Sequence, residues 1–535
     1  MVSPNFRMFN RVIATVVVLS TTQLALAQLS PIVDLGYAQY QGTVNPANSI
    51  THFLGIRYAA PPLGDLRWRA PQAPANTSGV QLATSQPSAC FQSSTGQSPT
   101  NPFQGRATQI DETEDCLFLN VYYPSDEAGA PLKNLPTVVW IHGGGYLSGA
   151  ASPYNGEDII RQSNRGVVVV LIQYRLGLFG FLSGSAVKRN GALNAGLLDQ
   201  DFALRWVNKH VSKFGGDPSK VTIWGQSAGA GSVIQQVVAN GGRTEPQLFR
   251  GAITSSSFLP SQYRFDDPIP EAVFSEALAQ TDCATATDSM ACLRAVDATV
   301  LEAANNNITS SAFFGTFSVV PVVDGVFITQ RPTLSLLEGK VNGHAVLTTT
   351  NAFEGTIFVN QSVSVTASEY SLDLFPRFSA LQGAAVGALY HGLGTDLFQV
   401  NAVQGESIFI CPAYYLLNAF HGRAFKGEFA IPPGLHSQEG HYYFPGDSPP
   451  PFNNPAFIDA FAQSFTSFII NLDPNIKVDP TTITPHWNTF DNGHTEMLFN
   501  QTAVDGLPVV HAIKTSDALL ERCLFWNSVG SLTAQ

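Results

Sequence analysis

The sequence is short of charge and shows no concentration of it. Charged residues are 13% and aromatic residues 11% of 535, a balance that excludes a disordered chain and implies a large folded core. The 28 basic and 40 acidic residues give a net charge of −12. No run of Lys or Arg exists, so a nucleic-acid partner is not expected. No internal repeat occurs, and no linker divides the chain. No Gly-Lys-Ser/Thr is present, because Gly339-Lys340 is followed by Val341, which removes the phosphate-cradling loop of nucleotide enzymes. The cysteines fit no zinc spacing, and neither a metal nor a cofactor is expected. Beyond the first residues no long apolar segment exists, so no membrane span is expected.

The one long apolar run lies at the start, in "MVSPNFRMFNRVIATVVVLSTTQLALAQ". Arg7 and Arg11 precede an apolar stretch from Val12 to Leu19, and Ala25-Leu26-Ala27 suits cleavage before Gln28. Polar residues from Ser20 to Gln23 leave the run too short to span a bilayer comfortably. Residues 1–27 therefore read as a secretory signal peptide, and residues 28–535 as a single large domain of an extracellular protein. The final "SLTAQ" carries no retention or lipidation signal. Outside the cell six cysteines favour disulfides among Cys90, Cys116, Cys283, Cys292, Cys411 and Cys523, with fifteen pairings open. Asn76, Asn307, Asn360 and Asn500 each open an Asn-x-Ser/Thr glycosylation site. The oligomeric state is left open.

Several β-branched runs read as buried parallel strands: "TVVWI" to Ile141, Val167 to Tyr174, "VTIW" to Trp224, Gly251 to Ser256 and "HAVLTTT" to Thr350. They do not alternate, as expected where both sheet faces are covered. Between two of them, Leu197, Leu204, Val207 and Val211 form one helical stripe, widened by Leu198, Phe202 and Trp206. The series is β-α-β, and the fold class is α/β. Polar, Pro- and Gly-rich stretches at 85–112 and 431–455 read as long surface loops.

"VTIWGQSAGAGSV" (221–233) runs from strand into a Gly-rich turn and then a helix, with Ser227 at the turn. Alone, such a turn is common in α/β proteins. Its chemical meaning is a nucleophile held above the sheet edge at a helix N-terminus, with small neighbours where larger ones would clash. A serine needs a base, an orienting acid and donors for an oxyanion. "WIHGGGYLSG" supplies candidate donors: Gly143 to Gly145 follow a strand and let backbone N–H groups approach a ligand oxygen. The same glycines lack the third member of a dinucleotide pattern, since position 148 is Ser.

"EDCLFLNVYYP" (114–124), "HGGG" (142–145) and "ALRWVNKHVSKFGGDPSKVTIWGQSAGA" (203–230) resemble the type-B carboxylesterase/lipase family, which includes cholinesterases, fungal lipases and sterol esterases. "FLGIRYAAPPLGDLRWRAP" (53–71) resembles its opening and "ERCLFW" (521–526) its close. The resemblance spans the mature chain. It implies the α/β-hydrolase fold: a central, mostly parallel twisted sheet with helices on both faces and large loop and helical insertions. It implies Ser227 as nucleophile, oxyanion N–H groups from Gly144, Gly145 and Ala228, and Glu354 of "NAFEG" as the acid. His391, His421, His436 and His441 are candidates for the base. "PPGLHSQEGHYYFP" matches the family pattern with His436, Glu439, Tyr442 and Phe444, and leaves His441 as the alternative. The span from Glu354 to His436 is shorter than usual for the family and reads as a loop deletion. The family also suggests the disulfides Cys90–Cys116, Cys283–Cys292 and Cys411–Cys523.

Two decoys are set aside. "GESIF" (405–409) lacks the closing glycine and a preceding strand, so Ser407 reads as structural. Glu114 beside Asp115 reads as one half of a buried pair with Arg67. The implied activity is hydrolysis of a small-molecule carboxylic ester through an acyl-enzyme. Residues 91–115 hold no Trp to receive a choline cation, and Ile357 stands where cholinesterases have an aromatic residue. The resemblance puts Phe317 and Phe358 in the acyl pocket, with Gly315 in place of an aromatic expected to widen it. The same loop is mostly polar, with Phe91, Phe103 and Ile110 scattered, which favours an esterase over a lidded lipase. A lipase or sterol esterase is the alternative, and a non-catalytic binding protein is an alternative of another class.

Overall fold

Five apolar runs of the sequence become neighbours in one sheet. The computed structural model describes Met1 and residues 30–98, 111–446 and 449–535; the rest of the leader, residues 2–27, and Phe103 and Ile110 lie outside the described residues. The sheet has eleven strands. They are β1 (Thr43–Asn45), β2 (Ile50–Arg57), β3 (Phe118–Pro124), β4 (Leu135–Ile141), β5 (Val168–Ile172), β6 (Gly216–Gln226), β7 (Gly251–Ser255), β8 (Ala345–Asn351), β9 (Ala424–Phe429), β10 (Thr495–Gln501) and β11 (Pro508–Lys514). Their spatial order is β11-β10-β9-β8-β7-β6-β4-β5-β3-β2-β1. Every pairing from β5 across to β10 is parallel. The two ends are antiparallel. This is the α/β-hydrolase fold expected from the sequence.

The strand runs are continuous because both faces are dry. Val139, Ile141, Val170, Ile223 and Val346 join the core on one face. Val138, Trp140, Val169, Trp224 and Leu347 join the core on the other. On the first face lies α1 (Ala195–His210), whose Leu197, Leu204 and Val207 are fully buried. On the second lies α3 (Pro455–Asn471), with Phe457, Phe461, Phe465 and Phe468 recurring at helical spacing and all fully buried. Phe465 lies flat on Trp224, centroids 5.2 Å apart. Each such side chain contributes about 2–3 kcal/mol of transfer free energy. Asn454 caps α3 by accepting from the Phe457 N–H.

Three disulfides pair Cys90 with Cys116, Cys283 with Cys292, and Cys411 with Cys523. Arg67 and Glu114 form a buried fork, Nε to Oε1 at 2.5 Å and Nη2 to Oε2 at 2.7 Å. Asn76 and Asn307 are exposed, and Asn360 and Asn500 are half-buried. One feature differs from the sequence reading. β6 begins at Gly216 rather than near Val221, with an irregularity in its pairing to β4 between those residues. Pro218 has no N–H to give a regular ladder, so the strand enters through a bulge.

Candidate active site

Four segments leaving the carboxyl ends of parallel strands converge at one edge of the sheet, where open α/β sheets bind ligands. Gly143–Gly145 follow β4, Ser227 follows β6, Glu354 follows β8 and His436 follows β9.

Ser227 sits between β6 and α2 (Ala228–Val238) with φ 56° and ψ −125°, a conformation a non-glycine residue holds only when its surroundings impose it. Those surroundings are specific. The Ser227 N–H donates to the Ser255 carbonyl at 3.0 Å, and its own carbonyl accepts from the Gly231 N–H at 2.8 Å. A Cβ at Gly229 would lie 1.9 Å from the Ile141 carbonyl oxygen. The first turn of α2 therefore packs directly on the end of β4, and only glycine permits it.

His436 links the serine to the acid. Its Nε2 is 2.8 Å from Ser227 Oγ, and its Nδ1 is 2.5 Å from Glu354 Oε2. The carboxylate assigns the ring proton to Nδ1, which leaves Nε2 to accept from the hydroxyl. Both side chains of the pair are buried, 3% and 0% exposed. Phe358 and Phe409 enclose the imidazole, with centroids at 4.9 Å and 4.6 Å. His391, His421 and His441 are all exposed, and none is recorded in contact with Ser227 or Glu354.

Glu354 is held in turn. Its Oε1 accepts from the Asn351 N–H at 2.6 Å and from Asn351 Nδ2 at 3.4 Å. Asn351 Nδ2 also donates to Glu439 Oε2 at 2.6 Å, while Ser256 Oγ donates to Glu439 Oε1 at 2.8 Å. Glu439 is fully buried. Burial first, and the charge of Glu354 second, push its pKa up to about 7. Two buried carboxylates thus share one asparagine, and the one without a base tends toward its neutral form.

The Gly143–Gly145 loop, the expected source of oxyanion donors, lies against the serine. A Cβ at Gly143 would approach Ser227 Cβ at 3.0 Å, and Gly144 and Gly145 take φ of 103° and 66°. Among the described residues none is recorded as accepting from the N–H of Gly144, Gly145 or Ala228. His142 is buried and stacks on Tyr174 at 4.5 Å. Burial lowers its pKa to about 4, so a neutral ring with its proton on Nδ1 donates to the Gly143 carbonyl at 2.9 Å. Among the described residues, no group of three or more His, Cys, Asp or Glu side chains is placed to hold a metal ion.

Phe317 and Phe358 stand beside this edge, 5.8 Å apart, with Phe258 4.9 Å from Phe317. The Phe317 ring covers Gly145 so closely that a Cβ there would lie 2.0 Å from its Cε1. Gly315, expected from the sequence to widen the pocket, takes φ 72° and packs against the main chain of Phe358. A Cβ there would meet the Phe358 carbonyl oxygen at 2.0 Å, so main chain occupies the space beside this glycine. Ser407 is structural as expected: it is buried, and its hydroxyl donates to the Val403 carbonyl at 2.7 Å. Sequence reasoning missed Phe409. It lies in a π-helical turn, Glu406–Ile410, and a π turn leaves no simple periodic signal.

The sheet order, with a strand–serine–helix turn at its edge, defines an α/β-hydrolase. The chain belongs to the carboxylesterase family, whose profile matches residues 29–383. Carboxylesterase patB of Aspergillus clavatus is 30% identical over 84% of this chain and 89% of its own. Lipase 4 of Diutina rugosa is 32% identical over 71% of this chain and 76% of its own. EstA of Aspergillus niger superposes with a TM-score of 0.83 at 31% identity, covering 95% of this chain and 99% of its own. The protein is a carboxylic ester hydrolase, and its substrates are small-molecule esters. The disulfides fit an extracellular setting, and among the described residues no helix is long and apolar enough to cross a membrane.

Proposed function

We propose that the protein is a secreted serine esterase that uses Ser227, His436 and Glu354 to form and hydrolyse an acyl-enzyme. The observation that carries this reading is the relay itself: hydroxyl to imidazole at 2.8 Å, imidazole to carboxylate at 2.5 Å. His436 Nε2 takes the Ser227 proton as Oγ bonds to the ester carbonyl carbon. The carbonyl oxygen becomes an anion and is received by the N–H groups of Gly144, Gly145 and Ala228. Collapse breaks the bond to the alcohol oxygen, which takes the proton from the imidazolium. A water molecule then repeats the sequence, giving the carboxylic acid and restoring Ser227. Glu354 orients His436 and steadies the imidazolium.

In this reading residues 1–27 are a leader removed on secretion, and residues 28–535 form one domain. Strands drawn from residue 43 to residue 514 into a single sheet support the latter. A relative named "Secreted lipase 1" from Botryotinia fuckeliana, 33% identical over 61% of this chain, supports the former. The sequons at Asn76 and Asn307 are the better placed for glycans, because both are exposed.

The polar character of residues 91–115 favours esters of short to medium acyl chain. Resemblance to named lipases supports the second reading, a long-chain lipase or sterol esterase. Rates on p-nitrophenyl esters of two to sixteen carbons separate the two. A maximum at short chains is expected; a maximum at the longest, raised further at an emulsion surface, overturns the preference. Labelling by an organophosphate, abolished in Ser227→Ala, excludes a purely binding role.

A further inference from the structure

We infer that Gln226 is a positioning residue that latches the loop carrying His436 to the turn carrying Ser227. The inference rests on the proposed roles of Ser227 and His436.

Gln226 is the last residue of β6, immediately before Ser227, and is only 8% exposed. Its Nε2 donates to the hydroxyl of Ser437, the residue immediately after His436. Its backbone oxygen and Oε1 lie against the oxyanion loop, where a Cβ at Gly143 would meet them at 2.7 Å and 2.8 Å. One amide side chain therefore bridges the nucleophile turn, the oxyanion loop and the base loop. The sequence positions 226/227 and 436/437 form two parallel ties: Ser227 to His436, which must break and re-form in each cycle, and Gln226 to Ser437, which need not.

The base loop has need of such a tie. Ser437 takes φ 71°, a left-handed conformation that is strained for a residue with a Cβ and persists only when neighbours enforce it. The turn itself is closed locally, by the Gln438 N–H donating to the Leu435 carbonyl and the Leu435 N–H to Gln438 Oε1, each at 3.1 Å. Those bonds shape the turn but do not set its distance from β6. Glu439 anchors its far side to Ser256 and Asn351. Gly434 also ties the loop to the strand end by accepting from the Phe353 N–H at 2.8 Å, and beside the reacting pair itself the tie is Gln226 to Ser437. A shift of about 1 Å in a reacting group costs on the order of 10² in rate, so the latch acts on turnover rather than on substrate binding.

The test compares Gln226→Leu, Ser437→Ala, the double variant and Gln226→Glu, assayed on p-nitrophenyl acetate, with thermal melting to establish that each is folded. Gln226→Leu and Ser437→Ala are each expected to lower kcat by about 10- to 100-fold, with KM within about twofold. The double variant is expected to be no worse than the poorer single, because both remove one bond. Gln226→Glu keeps the reach and can accept from the Ser437 hydroxyl, so it recovers kcat to within about fivefold. Unchanged kcat in either single variant, losses that multiply in the double, a change carried by KM, or Gln226→Glu no better than Gln226→Leu overturns the latch. Wild-type turnover that disappears in Ser227→Ala is measured alongside. Its absence would sink the catalytic reading itself, whereas its presence with intact latch variants sinks only this inference.

Discussion

Two buried acid–base pairs in this molecule have the same contact length. Arg67 Nε is 2.5 Å from Glu114 Oε1, and His436 Nδ1 is 2.5 Å from Glu354 Oε2. They differ in what the basic partner does with its other nitrogens. Arg67 directs Nη2 to the same carboxylate at 2.7 Å and Nη1 to the carbonyls of Leu293, Arg294 and Val296. A guanidinium does not release its proton, so the fork fastens residues distant in sequence and does nothing else. His436 directs its second nitrogen to a serine hydroxyl, and an imidazole can take and return a proton near neutral pH. Under the proposed mechanism, similar geometry thus gives a rivet at one site and a proton carrier at the other. The chemistry of the base decides which.

The largest expected effect breaks the carrier and spares the fold. Ser227→Ala and His436→Ala should each lower kcat by on the order of 10⁶, with a melting temperature close to wild type. Steady-state kinetics and a thermal melt on the same preparations check both halves. Glu114→Ala should do the reverse. Leaving the Arg67 charge buried without its partner costs about 3–5 kcal/mol, read by chemical denaturation, while kcat per folded molecule changes less than about threefold. Had the two pairs equivalent roles, the variants would fall together in both assays. Next in size is the anion cradle. Gly145→Ala puts a methyl group into the Phe317 ring at a residue with φ 66°. A loss of about 10²–10³ in kcat is expected from a displaced oxyanion donor. A kcat within tenfold of wild type would remove Gly145 from the cradle.

The same contrast explains what could be read from the chain. The strands at Ile141, Val168–Ile172 and Trp224 were legible because burial on both faces writes itself as an unbroken apolar run. α1 was legible because its one buried stripe recurs at helical spacing. The turn around Ser227 is local: its clash partners lie within a few residues or on the next strand. The knot of Ser256, Asn351 and Glu439 was not legible. Its members lie 88 and 183 residues apart, and each is an ordinary polar residue until the sheet brings them together. The tie between Gln226 and Ser437 was hidden likewise, since neither residue carries a pattern of its own.

The smallest expected effect turns the comparison on the two carboxylates that share Asn351. Glu354 has a base to face; Glu439 has only hydrogen-bond donors, and its pKa stands at about 7 against an ordinary 4.5. The folded protein therefore holds a proton on Glu439 that the unfolded chain releases between those two values. The resulting stability is fully present below pH 4.5 and is lost as the pH rises through about 7. Glu439→Gln mimics the protonated acid, accepting from Asn351 and donating to Ser256 without titrating. Wild type should lose on the order of 1–2 kcal/mol more than the variant between about pH 5 and pH 8, seen as a steeper fall in melting temperature. Parallel curves across that window would mean that Glu439 is ionised throughout, and that Asn351 and Ser256 suffice to hold two buried anions side by side.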